Sequence, residues 1–466
     1  MSWLFGIVAF VRQFIVPIVV AAVFGSRGNG PSSWIVYVFV PLLAAAVWKQ
    51  IFYRYGFGPG GLVIREGLFF HNLRQIDYSR IENIDTERGI LHRLLGVAEV
   101  RVETSTGGKP EALIQVLGLE AAEELRRRVF ESRGEVRETA QEGEERLLHL
   151  PVPEVVKFGL IDNRGMIVVA GLFGLLYESG AIEVWTAIVR SRLSEQMLDE
   201  VIALGPVLQA ALATGLLIAV LALVRAFSVV LALVTIYDFT LARAGDDLRA
   251  RYGLLTRIAL TLRVRRIQAA HVTDTLLHRF FKRVSVRVDL AGDGVPAQQG
   301  QDAAQKVRWL APLVEPNRAR ELMARALPDI DFNASVQWQP LAPGARRRVF
   351  RRSLAWWIFI SIALAAMSRS FAPLLLVAIA VPISMLYAEK YVHYTRWALQ
   401  PDALFFRYGW LTRKMIVVPR NRVQTVRLTV SPFDRRHAMA TVSVDTAGAG
   451  PRSDPVRIPY LEQHVA

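Results

Sequence analysis

A threefold internal repeat constrains this chain more than any other feature of its sequence. Each copy has a glycine, then an arginine 13 residues later that begins an Arg-Ile/Val-Glu/Gln step. These residues are Gly67 and Arg80, Gly253 and Arg266, and Gly409 and Arg422. A second arginine follows after another 13 residues, at Arg93, Arg279 and Arg435. Self-similarity at fixed spacing indicates three structural units of one kind.

The repeated segments alternate apolar and polar residues, as in VRVET, VRVDL and VSVDT. This period predicts half-buried antiparallel strands, and the first glycine of each copy predicts a hairpin turn between two of them. Residues 120–130 and 316–326 have helical spacing and predict a closing helix for copies one and two. The third copy reaches Ala466 soon after its last strand-like run, so its closing helix is expected to be truncated.

Six apolar stretches precede these copies in pairs, and they predict membrane helices. They are residues 4–24, 34–48, 166–177, 205–236, 354–367 and 371–387. A span needs about 20 apolar residues, so the third and fifth stretches are short. The fold class predicted is a mixed membrane protein with six transmembrane α-helices in three hairpins and three β-rich domains.

The predicted boundaries follow the repeat. The hairpins comprise residues 1–50, 155–236 and 349–390, and the β-rich domains comprise residues 51–135, 237–328 and 391–466. The chain carries a net charge of +15, and its long segments between hairpins are rich in arginine. Positively charged loops stay on the cytoplasmic side, so the three domains and both termini are expected in the cytoplasm.

The repeated arginines are the first candidate site residues. Arg80, Arg266, Arg422, Arg93, Arg279 and Arg435 could contact an anion or a partner, because guanidinium groups bind phosphate through paired hydrogen bonds. The same positions could instead serve structure, through a turn contact or a side-chain stem packed on the domain. Both interpretations stay open from the sequence.

Arginines inside or beside the apolar stretches are the second group. Arg225 and Arg12 interrupt predicted spans, so each either faces a polar bundle interior or extends to a membrane interface. Arg346, Arg347, Arg348, Arg351 and Arg352 lie just before the fifth stretch. They could bind anionic lipid, or simply set the orientation of the hairpin.

Reactive chemistry has little support in the sequence. The chain has no cysteine, which excludes disulfides, thiol nucleophiles and zinc–thiolate sites. His92 and His278 share one repeat position, but copy three has Asp434 there. This change argues against a metal ligand at the position. We therefore expect no metal, cofactor or catalytic residue, and no nucleic-acid binding, since no recognition module accompanies the basic charge.

The Gly turn, the Arg-Ile/Val-Glu/Gln step and the V-x-V finish, placed directly after an apolar hairpin, resemble the bacterial pleckstrin-homology-like (PH-like) domain family. Three hairpin-plus-domain copies in one chain look like the YdbT-like membrane proteins of that family. The resemblance covers nearly the whole chain. It implies a bent seven-stranded barrel with a C-terminal helix, a bacterial inner-membrane location and no assigned activity.

The function expected from these observations is that of a non-enzymatic scaffold, with a possible role in envelope maintenance or stress defence. Its cytoplasmic domains would bind anionic membrane lipid or a protein partner, with a companion membrane protein of the same family as a candidate. The alternative is a transporter or flippase-like protein, with a polar path through the bundle that includes Arg225.

Overall fold

The structure is a computed structural model. It describes residues 54–66, 72–104, 112–132, 145–178, 180, 183, 187, 205–291, 307–368, 370–447 and 456–464. The first two predicted spans, with Arg12, lie outside these residues, as does the turn at Gly67.

The first repeat copy, called unit 1, begins with three strands and a short corner turn. It continues through three more strands and two helices. Its elements are β1 Arg54–Phe57, β2 Gly61–Glu66, β3 Asn72–Asp77, β4 Ile81–Arg88, α1 Ile90–Leu94, β5 Val97–Thr104, β6 Ala112–Gly118 and α2 Leu119–Ser132.

Unit 2 follows a strand and the second hairpin. The hairpin region comprises β7 Glu145–His149, α3 Val152–Ile161, α4 Arg164–Glu178 and α5 Pro206–Ile236. The unit itself comprises β8 Thr240–Ala244, β9 Asp247–Tyr252, β10 Arg257–Leu262, β11 Ile267–Asp274, α6 Leu276–Phe280, β12 Val284–Leu290, β13 Trp309–Val314 and α7 Pro316–Ala326.

Unit 3 follows the third hairpin, which is formed by α8 Ala345–Ser368 and α9 Leu376–Tyr394. Its elements are β14 Arg396–Leu399, β15 Ala403–Tyr408, β16 Arg413–Pro419, β17 Val423–Thr429, α10 Pro432–Arg435, β18 Met439–Thr446 and β19 Val456–Glu462. Unit 3 thus repeats the strand order of the other two units.

The turn glycines confirm the hairpin prediction in units 2 and 3. Gly253 and Gly409 have φ of +108° and +88°, backbone angles that residues other than glycine rarely adopt. A Cβ on either residue would lie 2.0 Å from a backbone oxygen, that of Thr256 or Thr412. Only glycine therefore fits the turn that joins the second and third strands of these units.

The sheets are shared between units, which the sequence did not predict. One sheet of seven strands has the order β6-β5-β4-β10-β9-β8-β7, and a second of six strands has the order β13-β12-β11-β16-β15-β14. The fourth strand of each of the first two units therefore pairs with the third strand of the next. The resemblance implied a bent seven-stranded barrel per unit, whereas six strands per unit are described and each unit divides them between two sheets.

Both junctions between units are antiparallel and have the same register. Arg88 lies opposite Arg257 at junction 1, and Asp274 lies opposite Arg413 at junction 2. In each case the eighth residue after the first repeated arginine (Arg80 or Arg266) lies opposite the fourth residue after the turn glycine of the next unit (Gly253 or Gly409). Backbone hydrogen bonds of the same geometry therefore connect unit 1 to unit 2 and unit 2 to unit 3.

Closing helices complete the cores of units 1 and 2, as the sequence predicted. Leu125 and Val129 of α2 are buried with the strands of unit 1, and Leu322 and Met323 of α7 are buried with those of unit 2. Within the described residues no helix follows β19. Instead, Ala345 and Val349 at the base of hairpin 3 pack with Met439 and Tyr460 of unit 3.

Three described helices are long and apolar enough to cross a membrane. They are Pro206–Ile236, Ala345–Ser368 and Ala372–Tyr394, with mean hydropathies of 2.7, 1.4 and 1.8. The third predicted span falls on α4, which has 15 residues and is shorter than the bilayer core requires. Three of the six predicted spans therefore have a counterpart in the described part of the chain.

Small residues allow the helices of hairpin 2 to pack closely where they meet unit 2. A Cβ on Gly159 of α3 would lie 2.6 Å from the Cα of Val229 in α5, and one on Gly165 of α4 would collide with Ser228. Because the obstacle at Gly159 is backbone, a rotamer change cannot relieve it. The close approach of α3 to α5 thus requires glycine there.

We expect Gly159→Ala to destabilise the protein by about 1–3 kcal/mol through overpacking, and to lower the midpoint of thermal unfolding in detergent, followed by tryptophan fluorescence. Gly171→Ala is the matched control, because a Cβ there meets nothing within 4 Å. Alanine favours a helix over glycine by about 1 kcal/mol, so the control should be neutral or stabilising. Equal midpoints for the two variants would contradict the packing argument.

Candidate functional site

The two junctions between units, together with the strand edges that remain outside them, form the candidate site. At junction 1 the backbone ladder between β4 and β10 runs from the Arg88–Arg257 pair to the Thr86–Ala259 pair. Beyond this ladder, the side chain of Asp85 forms the next hydrogen bond to β10. Its Oδ1 accepts the backbone N–H of Thr261 at 3.3 Å, and its Oδ2 lies 3.2 Å from the guanidinium of Arg308.

The Asp85–Arg308 ion pair is buried, with exposed side-chain fractions of 8% and 9%. The two residues are 223 positions apart and belong to different units. Burying two charges costs desolvation free energy, which the pair offsets only when both partners lie at close range and are hydrogen-bonded. The pair therefore holds only when units 1 and 2 are joined.

The second repeated arginine of units 1 and 2 reaches the turn of the following unit. Arg93 of α1 donates to the carbonyl oxygen of Leu254 at 3.2 Å. Arg279 of α6 donates to the carbonyl oxygens of Leu411 at 2.7 Å and Trp410 at 3.4 Å. Leu254 and Trp410 each follow a turn glycine, so both contacts connect equivalent positions and reinforce the strand junctions.

The first repeated arginine of each unit lies at the corner between its third and fourth strands. Arg80, Arg266 and Arg422 each end a single 3-10 turn. Arg266 donates to the carbonyl oxygen of Ala291 and thereby ties the corner to the end of β12. Arg80 is exposed and Arg422 is half-buried. Anion binding by these arginines and by Arg93, Arg279 and Arg435 stays a prediction.

A helix cap explains why histidine and aspartate share one repeat position. Thr275 caps α6, and its side chain and backbone both meet His278, whose Nε2 lies 2.8 Å from the hydroxyl of Ser285. In unit 3 the hydroxyl of Ser431 accepts the backbone N–H of Asp434 in the same way. His278 and Asp434 both occupy the N3 position of their helix, three residues after the N-cap.

The basic run in the first two turns of α8 divides into two groups. Arg348 pairs with Asp434 at 3.2 Å and lies over the ring of Phe433, and Arg352 lies 6.0 Å from the ring of Tyr460. Arg348 thereby connects the base of hairpin 3 to unit 3, whereas Arg352 is exposed and approaches unit 3 at the ring of Tyr460. Arg346, Arg347 and Arg351 are exposed, and Arg347 and Arg351 share one face of the helix.

Arg225 lies at a boundary within α5. Residues 205–223 are exposed throughout, whereas Ser228, Ala232 and Ile236 are buried. The guanidinium of Arg225 donates to the side-chain oxygen of Asn163 at 2.8 Å and to the carbonyl oxygen of Asp162 at 3.4 Å. Arg225 therefore contacts the two residues that lie between α3 and α4.

Two strands that correspond to the junction strands have no partner of that kind among the described residues. β3 ends the three-stranded sheet of unit 1, and β17 ends the three-stranded sheet of unit 3. No other described strand pairs with their outer edges. Leu73 on β3 and Val426 and Leu428 on β17 are exposed apolar side chains.

Among the residues that the structure describes, no group of three or more His, Asp or Glu side chains is placed to hold a metal ion. The functional residues that sequence reasoning missed are Asp85 and Arg308. Neither belongs to the repeat pattern, since His271 and Arg427 stand where Asp85 does in the other copies. Nothing in the sequence marks Asp85, because its neighbours on the same strand face, Asn83 and Glu87, are polar as well.

Known proteins match most of this chain. The bacterial PH domain family matches residues 5–133, 200–322 and 357–466. The UPF0699 transmembrane protein YdbT of Bacillus subtilis (strain 168) is 23% identical over 421 residues, which cover 87% of this chain and 82% of that protein. No solved structure matches.

We expect Asp85→Asn to weaken junction 1, because it keeps an acceptor for Thr261 but removes the charge facing Arg308. Breaking a buried ion pair costs about 3–5 kcal/mol. The measurement is hydrogen–deuterium exchange of the β4 and β10 amides, which should speed up, while those of β18 and β19 should not. Asp77→Asn, at an exposed position, is the control. Unchanged exchange in β10 would mean that Asp85 does not hold the junction.

Burial lowers the pKa of His278 to about 4. The unfolded chain takes up a proton near pH 6.5, whereas the folded chain resists it, so stability falls as the pH drops from 6.5 towards 4. This histidine contributes at most about 1.4 kcal/mol per pH unit. We expect His278→Gln, which keeps a capping residue, to flatten the decline in chemical-denaturation midpoints over this range. The exposed His437→Gln controls for loss of an imidazole; a slope like that of the unaltered protein in His278→Gln would contradict the prediction.

Proposed function

The chain belongs to the bacterial PH domain family, and on this premise we propose that it is a non-enzymatic membrane scaffold. Its three units would present a surface to anionic lipid or to a protein partner. The observation that supports this most is the pair of junctions with identical register, because they fix the units relative to one another. A fixed array suits a platform better than a chain of independently moving binding domains.

The proposed topology has six spans in three hairpins. Residues 4–24 and 34–48 would form hairpin 1, and residues 166–177 and 205–236 would form hairpin 2. The arginine-rich segments would then place the units and both termini in the cytoplasm of a bacterium. The base of hairpin 3 packs on unit 3, which supports units held directly beneath the membrane.

Arg225 supports this scaffold rather than the transporter alternative. The exposed segment 206–223 of α5 rises about 27 Å, close to the thickness of the bilayer core. Arg225 follows this segment and donates its hydrogen bonds to Asn163 and Asp162, at the break between α3 and α4. It is then a boundary residue at the membrane interface, and not part of a polar path through the bilayer.

The lipid-binding face that we propose comprises Arg346, Arg347 and Arg351. These side chains are exposed and lie one or two turns before the apolar part of α8. Arg348 and Arg352 are engaged with unit 3 and would contribute less. Each basic residue near an anionic surface contributes about 1 kcal/mol to lipid binding.

We expect the triple variant Arg346→Gln/Arg347→Gln/Arg351→Gln to retain less anionic lipid through purification in mild detergent. The measurement is quantitative mass spectrometry of phosphatidylglycerol and cardiolipin per protein, together with identification of co-purified proteins. The control is Arg265→Gln/Arg320→Gln/Arg420→Gln, which removes the same charge from exposed positions on the units. Equal lipid loss in both variants would argue against a specific face, and purification of the unaltered protein with neither lipid nor partner would argue against the scaffold.

A further inference from the structure

The two strand edges left outside the junctions are equivalent to the edges that pair inside the chain. β3 corresponds to β10 and β16, and β17 corresponds to β4 and β11, by their positions in the repeat. At both junctions a strand of the first kind pairs with a strand of the second kind. The described array therefore begins with one half of a junction, on β3, and ends with the other half, on β17.

The common register of the junctions predicts how these halves would meet. Applied to the outer edges, it places Leu428 opposite Leu73, Val426 opposite Gln75, and Arg427 opposite Arg74. The apolar pair corresponds to Val272 opposite Met415 at junction 2. The arginine pair has a precedent in Arg88 opposite Arg257 at junction 1. Neither edge thus requires a kind of contact that is absent from the chain.

The exposure of these side chains indicates that something covers them. Leu73 is 67% exposed, Val426 59% and Leu428 49%, whereas Ala270, which corresponds to Val426 in β11, is fully buried. An edge strand with exposed apolar side chains is a template for pairing with another chain, and soluble edges ordinarily carry charge or proline instead.

The repeated arginine supplies a second, independent sign of a missing neighbour. Arg93 and Arg279 each donate to the turn of the next unit. Arg435 holds the same position in unit 3, after the equivalent cap, and its side chain is exposed. A following unit would offer a turn carbonyl to it, as Leu254 and Leu411 do at the two junctions.

We propose that β17 of one copy pairs antiparallel with β3 of a second copy of this chain, so that copies join head to tail. A second copy fits because it carries a β3 edge with the matching register and the matching leucine. The two paired surfaces differ, so the contact is heterologous and generates a ring or a filament. This inference goes beyond the proposed scaffold and does not depend on lipid binding, so the two can fail separately.

Cross-linking tests the pairing directly, because the chain has no cysteine of its own. Leu73→Cys and Leu428→Cys are made in separate full-length copies with different tags, co-expressed, and oxidised in isolated membranes. Opposed residues in antiparallel strands lie about 4.5–5.5 Å apart at Cα, within reach of a disulfide. We expect a cross-linked dimer carrying both tags, and no dimer from either variant alone.

The control replaces Leu428→Cys with Arg457→Cys, an exposed residue on β19 at the other edge of the same sheet. A mixed-tag product no stronger than this control would overturn the proposal. So would a dimer of Leu428→Cys with itself, because that result requires two identical edges to meet.

A second test introduces a charge on one edge or the other and measures the mass of the assembly in detergent, by light scattering after size-exclusion chromatography. The unaltered protein should form assemblies larger than a dimer, and Leu73→Asp and Leu428→Asp should each be monomeric. Mixing the two variants should give dimers only, since each retains one competent edge. Leu399→Asp, on the outer edge of β14, should assemble normally. A monomeric unaltered protein, or assembly that survives both edge charges, would overturn the proposal.

Discussion

Antiparallel pairing of strand edges between consecutive units is the interaction on which the rest of the structure depends. Each unit turns a corner between its third and fourth strands, and so exposes two edges to different sheets. An unpaired edge carries a row of unsatisfied backbone groups. The neighbouring unit satisfies these groups, and this closure also creates the dry environment in which Asp85 and Arg308 can pair.

The same pairing relates the units to the membrane. Hairpins 2 and 3 each precede a unit and pack against it through the bases of their helices. Because the junctions share one register, each of them pairs a unit with the preceding unit in the same way. The membrane helices are then positioned by the sheets below them as well as by their own contacts, which in hairpin 3 include a hydrogen bond between Ser353 and Ser384 at 3.0 Å.

Much of each unit could be predicted from the sequence, because the responsible forces are local. Alternation locates strands such as β12 and β18, glycine is required at positive φ in two turns, and helical spacing locates α2 and α7. The pairing between units could not be predicted in this way. Alternation identifies the buried face of a strand but not the strand beside it, and nothing local distinguishes β4 from an edge that faces water.

The site residues divide along the same line. The repeat identified Arg93 and Arg279 as equivalent, but their acceptors are backbone carbonyls 161 and 132 residues away, to which sequence gives no clue. The Asp85–Arg308 pair is invisible to a repeat search because it occurs at one junction only. The sequence identified Arg225 because it interrupts a predicted span. Its contacts with Asn163 and Asp162 depend on where α3 ends and α4 begins, which the sequence did not indicate.

The common register has a consequence for how such a chain can change in size. A backbone ladder is indifferent to the identity of most side chains, so β4 of unit 1 could form the same ladder with β16 of unit 3, although without the contacts that Asp85 makes with Thr261 and Arg308. Gain or loss of one whole hairpin and its unit by recombination would leave every remaining edge with a compatible neighbour. The number of units is in this sense a free variable of the architecture, because the backbone ladder of a junction does not depend on which unit follows.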